Sequence, residues 1–193
     1  MNIFITSDTH FGHDREFLYG PRGFTSIAEH DEEVVRRWNE VVKPEDTVYH
    51  LGDVMLGDNA HGLDCLHRLN GTIKIVRGNH DTDTRWKLYA ELPNVELLDW
   101  ATVIKYKKYQ FYLSHHPTFT SNLEKEPFLR AHLVNLYGHT HQKKNFYNDI
   151  PFMCHVGLDS HNCYPVLLDD VIEEAKEEIR KCVSFLGEEI ETD

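Results

Sequence analysis

The sequence has little positive charge. Of its 193 residues only 20 are lysine or arginine, against 32 aspartates and glutamates, which gives a formal net charge of −12. Sequence-independent binding to DNA or RNA depends on many cationic side chains that meet phosphates, so this imbalance argues against a stable nucleic-acid complex. Bound divalent cations would supply positive charge locally, and the acidic balance therefore leaves affinity for a small phosphate compound open.

Long apolar runs and close cysteine pairs are also missing. The first residues, MNIFITSDTH, lack a positively charged start and carry only a short apolar run before Asp8. They resemble neither a signal peptide nor a membrane span, and we expect a cytoplasmic protein without membrane association. No CxxC spacing indicates a zinc finger. We therefore expect reduced, buried thiols at Cys65, Cys154, Cys163 and Cys182.

The remaining composition is that of a globular protein, with 40% hydrophobic and 27% charged residues. A chain of this length suits one core, and no repeat or linker divides it. We expect a single domain over residues 1–187 and a frayed acidic tail at 188–193. Histidine is the outlier, with 14 residues, and its placement carries the functional argument.

Three short apolar segments in the first half of the chain predict strands that each lead to a polar side chain. They span residues 3–6, 47–51 and 73–77, and they precede Asp8, Asp53 and Asn79. Helical spacing of apolar residues after a cap at Thr25 or Ser26, and a helix-like segment at 63–69, predict helices between them. Strands that alternate with helices indicate parallel crossover units.

The pattern changes after residue 90, where closely spaced strands at 95–98, 102–106 and 110–113 predict a second sheet. Further strands are predicted at 133–137 and 152–156. An acidic amphipathic helix follows, with a buried face at Val171, Ile172, Ala175, Ile179, Cys182, Val183 and Leu186.

Metal-capable side chains follow five of these strands, and side chains that follow different strands of an open α/β sheet meet beyond its carboxyl edge. Gly52, Gly78 and Gly138 stand beside them, where a sharp turn or a close backbone approach needs a residue without a Cβ. Imidazole and carboxylate groups suit Mn, Fe, Zn, Ni or Co, and one carboxylate can bridge two ions. We therefore predict two divalent transition-metal ions, with Mn or Fe preferred, held by Asp8, His10, Asp53, Asn79, His115, His139 and His141.

Two cations about 3.5 to 4 Å apart can clamp a phosphoryl group and lower the pKa of bound water towards neutrality. A hydroxide held between them would be the nucleophile. The predicted chemistry is therefore hydrolysis of a phosphate ester.

Five motifs occur in order along about two thirds of the chain: DTH at 8–10, GD at 52–53, GNHD at 78–81, SHHP at 114–117 and GHTH at 138–141. Each motif alone is weak, but the ordered set is specific, and it resembles the calcineurin-like metallophosphoesterase superfamily. The resemblance implies an α+β or α/β fold, a four-layer α/β/β/α sandwich in which two mixed β-sheets are flanked by helices.

The resemblance also implies individual roles. One ion would be held by Asp8, His10, Asp53 and His141, and the other by Asp53, Asn79, His115 and His139. His80 is implied to stabilise the phosphoryl transition state or to protonate the leaving oxygen, with Asp81 holding its ring. This pair would be catalytic, and Asp53 would bridge the ions.

His115 competes with its neighbour His116 as the ligand. Strand alternation and motif position favour His115, which leaves His116 to face phosphate, to pack or to do nothing. His13 and His161 are candidates for substrate contact. Asp159 is a candidate for the rim of the pocket, and an ordinary surface role explains His13, His161 and Asp159 equally well. Arg22 is a candidate for a substrate phosphate, although exposed basic residues usually have no specific role.

We expect a metal-dependent phosphodiesterase or phosphatase that acts on a small phosphate diester or monoester. A nucleotide or cyclic nucleotide is slightly preferred, because no long insertion would build a groove for a protein substrate. A nucleotide pyrophosphohydrolase or a nuclease needs the same metal core, and the net charge disfavours the nuclease. A non-catalytic metal-binding scaffold, like the retromer subunit of this superfamily, is disfavoured by the presence of His80. The oligomeric state stays open.

Overall fold

The computed structural model describes residues 1–120 and 129–186, without the side chains of residues 131 and 182–186. Within these residues the strands are β1 (Ile3–Thr6), β2 (Thr47–His50), β3 (Thr72–Ile75), β4 (Val95–Leu97), β5 (Ala101–Tyr106), β6 (Tyr109–Ser114), β7 (Leu133–Tyr137), β8 (Phe146–Tyr147), β9 (Ile150–His155) and β10 (Val166–Leu167). The helices are α1 (Glu16–Tyr19), α2 (Ile27–Val41), α3 (Asn59–His67), α4 (Asp83–Tyr89) and α5 (Leu168–Leu186), and a short 3₁₀ helix covers Leu129–Ala131.

The first sheet has the strand order β10-β1-β2-β3-β4. Strands β1 to β4 run parallel, whereas β10 is antiparallel to β1. Since side chains alternate along a strand, Phe4, Val48 and Ile73 share a face, where they pack with Trp38 of α2. Ser26 is the cap of α2, because its hydroxyl accepts a hydrogen bond from the Glu29 N–H at 3.2 Å.

The strand predicted at 95–98 does not open the second sheet, and this prediction is wrong. The observed strand, β4, pairs parallel with β3 in the first sheet, with Val95 opposite Ile73. The cause is α4, which returns the chain so that two parallel strands become neighbours. With only seven residues, this helix is too short to show helical periodicity in the sequence.

The second sheet has the order β5-β6-β7-β9-β8. A hairpin joins the antiparallel strands β5 and β6, while β6, β7 and β9 run parallel to one another. The short strand β8 is antiparallel to β9. Both sheets are therefore mixed, as the resemblance implies, and their parallel strands carry the predicted ligands at their carboxyl ends.

The apolar side chains form two cores. One core lies between the sheets, where Ile5 and Leu51 pack in one cluster with Phe111 and Leu136. The other lies between the first sheet and its helices and includes Trp38. The predicted arrangement of two mixed sheets flanked by helices is confirmed.

Helix α5 packs against β9, β10 and β1. Its predicted buried positions Val171, Ile172, Ala175 and Ile179 are all buried. The side chains of Cys182, Val183 and Leu186 lie outside the described residues, as does the predicted tail at 188–193. A single domain over 1–187 stays a prediction.

Three of the four cysteines, Cys65, Cys154 and Cys163, are free and buried, which confirms the prediction for them. The side chain of Cys182 is not among those described. Of the helices in the described part of the chain, none combines the length and the apolar character needed to cross a membrane.

Two buried histidines outside the predicted ligand set make the fold sensitive to acid. Burial lowers the pKa of His50 and of His155 to about 3, from an ordinary value of 6.5. Below pH 6.5 the unfolded chain binds protons that the folded chain excludes, so stability falls as the pH falls from 6.5 to about 3. Each histidine contributes about 1.4 kcal/mol per pH unit in this window.

We expect the free energy of unfolding, measured by urea denaturation in excess chelator, to decrease as the pH falls from 6.5 to 4, with each of the two histidines contributing about 1.4 kcal/mol per pH unit to the slope. The chelator removes any contribution from metal release. His50→Gln should reduce the slope by about 1.4 kcal/mol per pH unit, whereas the exposed His67→Gln should leave it unchanged. A His50→Gln slope equal to that of the parent protein would contradict the prediction.

Candidate metal centre

The structure brings the seven predicted ligands to one place, where the carboxyl ends of β1, β2, β3, β6 and β7 meet. The Asp53 Oδ2 atom lies 3.3 Å from His115 Nε2 and 3.7 Å from His10 Nε2. The Asp8 Oδ1 atom lies 3.7 Å from His10 Nε2 and 3.9 Å from His141 Nε2. Two carboxylates thus lie among three imidazoles.

The other two ligands complete the cluster beside His115. The Asn79 Oδ1 atom lies 2.9 Å from His115 Nε2, and the rings of His115 and His139 are 5.1 Å apart at their centroids. Asp53 lies next to His10, of one implied ligand set, and next to His115, of the other, which fits the bridging position implied for Asp53.

Five of the seven predicted ligands have a left-handed backbone. Their φ angles are 61° at Asp8, 48° at His10, 57° at Asp53, 64° at His139 and 47° at His141. Such angles are uncommon outside glycine, although aspartate and histidine adopt them more readily than most residues. They cost about 1–3 kcal/mol each and concentrate at functional sites. The tight turns after β1, β2 and β7 therefore hold these side chains at a cost in stability that the surrounding fold offsets.

The glycines next to the ligands are needed for close approach, as the sequence predicts. Gly52 has a φ of +89°, which favours glycine. A Cβ on Gly78 would overlap the Asp53 carboxylate, and a Cβ on Gly138 would overlap the Asp8 carboxylate. The loops can therefore bring the two acids to the cluster only with glycine at these positions.

The buried polar atoms of this cluster fit cations. Asp8 Oδ1 and both ring nitrogens of His10 are buried without a hydrogen-bond partner among the described residues, although buried polar atoms are normally paired. Burial lowers the pKa of His10 well below its ordinary value, so the neutral ring keeps a lone pair for a cation. A mixed imidazole and carboxylate set suits a divalent transition metal.

The structure separates His115 from His116. His115 is buried, and its Nδ1 donates to the Leu51 carbonyl at 2.8 Å, which directs Nε2 towards Asp53 and Asn79. Burial opposes protonation of this ring, but the hydrogen bond with Asp53 and the nearby Asp8 charge together raise its pKa to about 9. A cation would therefore displace a proton from His115.

His116 is exposed, and its ring centroid lies 4.3 Å from that of His139. Its place beside a predicted ligand fits the predicted contact with substrate. His13 is similarly placed, with its ring 5.5 Å from His10. Both residues therefore lie at the rim of the cluster.

His161 is not brought to the cluster. Its Nε2 donates to the His155 carbonyl at 3.0 Å, and the ring lines a cavity with Glu174 of α5. This hydrogen bond does not fit the predicted substrate contact, because the chain turns back on itself after β9 and carries His161 towards α5. We assign His161 a structural role.

His80 lies at the open side of the cluster. Its backbone N–H donates to Asp53 Oδ1 at 2.8 Å, and its Nε2 is 3.9 Å from Asp53 Oδ2, with 43% of the side chain exposed. Arg85 donates to the His80 carbonyl at 2.7 Å and so holds the main chain. The imidazole is thus next to the predicted bridging carboxylate and open to a substrate.

Contrary to the prediction, the Asp81 carboxylate does not hold the His80 ring, since no hydrogen bond joins the two within the described part of the chain. It accepts hydrogen bonds from the backbone N–H groups of Asp53, Val54 and Gly78 and from the Tyr89 hydroxyl, at 2.8 to 3.2 Å. A buried carboxylate surrounded by N–H donors satisfies them all. Asp81 is therefore a positioning residue that ties together the two loops after β2 and β3.

The structure also reveals a positioning residue that the sequence analysis missed. Asn135, in the middle of β7, donates to the Tyr112 carbonyl and to Ser114 Oγ, and its own oxygen accepts from the Thr118 N–H at 2.8 Å. It therefore fixes the segment that carries His115. The signal in the sequence that could have indicated this role is a single asparagine inside an otherwise apolar strand.

Arg22 and Asp159 support His141 and are too enclosed to meet a substrate phosphate. His141 Nδ1 donates to Asp159 Oδ2 at 2.9 Å, and Arg22 forms two hydrogen bonds to the same carboxylate, at 2.8 and 3.0 Å. Arg22 also donates to the Asp8 carbonyl at 2.9 Å. Burial alone would lower the pKa of His141, but the Asp159 hydrogen bond raises it. Asp159 therefore orients the ring so that Nε2 faces Asp8.

We expect Asp159→Asn to weaken metal binding by about 10- to 100-fold, the usual effect of removing a carboxylate that orients a histidine ligand. The affinity can be measured by competition with a chromophoric chelator. Because Arg22 would lose its buried partner, circular dichroism must establish that the variant is folded. Asp64→Asn, at an exposed carboxylate, is the matched control, and equal affinities in the two variants would contradict the role of Asp159.

Comparisons with known proteins agree with this geometry. The sequence model of the calcineurin-like phosphoesterase superfamily domain matches residues 1–157. The uncharacterized protein MJ1445 of Methanocaldococcus jannaschii is 30% identical over 179 residues, which cover 89% of both chains. The gene 66 protein of Mycobacterium phage D29 is 30% identical over 203 residues, which cover 89% of this chain and 94% of the phage protein.

A solved structure has the same fold. The protein of unknown function AQ665 from Aquifex aeolicus superposes with a TM-score of 0.66 at 23% identity, over 90% of this chain and 98% of its own. The motifs of the sequence, the two mixed sheets and the match over residues 1–157 agree with one another. The chain belongs to the calcineurin-like phosphoesterase superfamily.

Proposed function

We propose that this protein hydrolyses small phosphate esters with the help of two divalent transition-metal ions, of which Mn and Fe are preferred. The observation that carries the proposal is the cluster around Asp53. There, buried polar atoms of Asp8 and His10 have no hydrogen-bond partner among the described residues, and the His80 ring is open beside them. Two bound ions would supply positive charge for a phosphoryl group and lower the pKa of water.

Residues of the chain would supply the positioning and the proton or hydrogen bond that the reaction also needs. Asp53 lies between the two ligand sets and keeps His80 in place through the His80 backbone N–H. The His80 imidazole would donate a hydrogen bond to a phosphoryl oxygen or a proton to the leaving oxygen. Arg85 and Asp81 would hold the main chain on either side of that ring.

A nucleotide or cyclic nucleotide diester is the preferred substrate class. Phe17 is 72% exposed, and its ring contacts His13 edge-on, with centroids 5.6 Å apart, beside the cluster. An exposed aromatic ring at the rim offers a base or aryl leaving group an apolar surface. The net charge of −12 favours a small ester over a polymeric nucleic acid, because a long polyanion would be repelled.

The test is a comparison of aryl monoester, aryl diester and cyclic nucleotide hydrolysis across a metal panel that includes Mn, Fe, Zn, Ni and Co. We expect metal-dependent turnover that is fastest with a diester. A monoesterase or a pyrophosphohydrolase would use the same core, and a higher kcat/KM for those substrates would reassign the ester type. Absence of hydrolysis with every metal and ester would favour the non-catalytic scaffold.

A further inference from the structure

A second group of metal-capable side chains lies outside the centre described above. His61 and Cys65 are four residues apart on α3 and therefore share one face of the helix, while Asp31 comes from α2. His61 Nε2 is 2.7 Å from Asp31 Oδ2 and 3.6 Å from Cys65 Sγ, and the three donor atoms lie within 4.8 Å of one another. We propose that Asp31, His61 and Cys65 form a separate site for a thiophilic divalent cation such as Zn²⁺ or Co²⁺.

The chemistry of the three donors differs from that of the centre at Asp53. Thiolate, imidazole and carboxylate together suit zinc, with bond lengths of about 2.3, 2.0 and 2.1 Å. Tetrahedral angles at those lengths place the donors roughly 3.3 to 3.7 Å apart. The separation of Cys65 Sγ and His61 Nε2, 3.6 Å, already fits. The pair formed by His61 and Asp31 must open from 2.7 Å.

The surroundings allow that movement on one side only. The His61 side chain is 41% exposed and can move outwards, whereas the Asp31 side chain is fully buried. Asp31 is also fixed, because Oδ1 is 2.8 Å from His30 Nδ1 and Oδ2 accepts from the Gly12 N–H at 2.8 Å. Such hydrogen bonds orient a metal-binding carboxylate, and solvent on the His61 side leaves room for a water as fourth ligand.

The competing explanation is a hydrogen-bonded network without a metal. In the metal-free protein Asp31 and His61 pair directly, and burial raises the pKa of the Cys65 thiol to about 12. A cation would therefore have to displace the thiol proton, as zinc does in structural sites. The two explanations differ in one observable property, since only a bound metal produces a metal–thiolate bond.

An ion at this site would also be connected to the loop that carries His10, a predicted ligand of the main centre. Gly12, whose N–H donates a hydrogen bond to Asp31, lies between His10 and His13 in the sequence. The carboxylate that would bind the ion thus already holds the loop that presents His10 to the main cluster. The site is therefore placed to stabilise this loop, whatever the substrate of the protein.

Titration of the metal-free protein with Co²⁺ tests the proposal, because thiolate ligation produces an intense near-ultraviolet charge-transfer band. None of the seven ligands of the main centre is a cysteine, so nitrogen and oxygen ligation there cannot give this band. We expect the band to appear, to disappear on addition of Zn²⁺, and to be lost in Cys65→Ser. It should persist in Asp53→Asn, which removes a ligand of the main centre only.

Cys154→Ser is the matched control, since Cys154 is a second buried thiol and should leave the band intact. If Cys65→Ser proves unstable, His61→Gln at a half-exposed position removes a ligand instead and should reduce the band. No band in the parent protein at saturating Co²⁺, or a band that survives in Cys65→Ser, would overturn the site. The readout requires no hydrolysis, so failure of the proposed activity leaves this test unaffected.

Discussion

Asp53→Asn should abolish hydrolysis and weaken metal binding at both predicted ion positions together. Asp53 adjoins His10, His115 and His80, at 3.7, 3.3 and 3.9 Å from its Oδ2 atom. Ions bridged by Asp53 would contribute several kcal/mol of charge stabilisation in the transition state, and this contribution would be lost with the bridge. At about 1.4 kcal/mol per factor of ten, we expect kcat/KM to fall by at least about 10³-fold.

The substitution is well suited to the site. Asparagine tolerates the positive φ of 57° at this position, and its side-chain oxygen can still accept the hydrogen bond from the His80 N–H. The variant therefore tests the charge and the bridging contact more than the fold. Turnover of an aryl diester and metal content by mass spectrometry are the two measurements.

Asp64→Asn, at a carboxylate that is 65% exposed, controls for the loss of one negative charge and should retain full activity and metal content. Hydrolysis by Asp53→Asn at the parent rate would mean that the activity resides elsewhere or comes from a contaminant. Loss of activity with full metal content would contradict the bridging role and leave Asp53 a part in catalysis only.

The sequence could indicate which side chains meet in this cluster because their positions depend on local signals. Each follows a short apolar segment, and Gly78 and Gly138 directly precede Asn79 and His139, at positions where the Asp53 and Asp8 carboxylates leave no room for a Cβ. The left-handed backbone at Asp8 and His139 could not be predicted, because it arises from the packing of several loops against one another.

Contacts between distant segments explain the remaining differences. Asp159 meets His141 and Arg22 across 18 and 137 residues of sequence, and no local pattern indicates such a pairing. Asp81 directly follows His80, so the sequence suggests that the two side chains interact. The structure shows instead that Asp81 faces the backbone of the neighbouring loop. Adjacency in sequence was therefore a poor guide to contact, whereas strand ends were a good one.

His80→Asn should lower kcat by about 10²- to 10⁴-fold, the usual contribution of a general acid, while metal content stays unchanged. The His80 ring is 43% exposed and is not a predicted ligand, so its removal should leave the ions in place. Steady-state kinetics together with metal analysis measures both properties. His67→Asn, at an exposed histidine on α3, is the matched control and should behave like the parent protein.

Asp81→Asn distinguishes the observed role of Asp81 from the predicted one. The carboxylate accepts four hydrogen bonds, three of them from the backbone around Asp53 and Gly78. Each such bond contributes about 1 kcal/mol, and we expect Asp81→Asn to lower both thermal stability and metal content. A variant with full stability and metal content but a low kcat would instead restore Asp81 as the support of the His80 ring.

The leaving group of the substrate decides which task His80 performs. If the ring donates a proton to the leaving oxygen, the deficit of His80→Asn should be large for an alkyl ester and small for a nitrophenyl ester, because nitrophenolate leaves without protonation. If the ring instead stabilises charge on the phosphoryl group, the two esters should lose activity by the same factor. Equal kcat in variant and parent with both esters would remove His80 from the catalytic residues. His13 and His116, the other histidines at the rim of the cluster, would then be the next variants to measure.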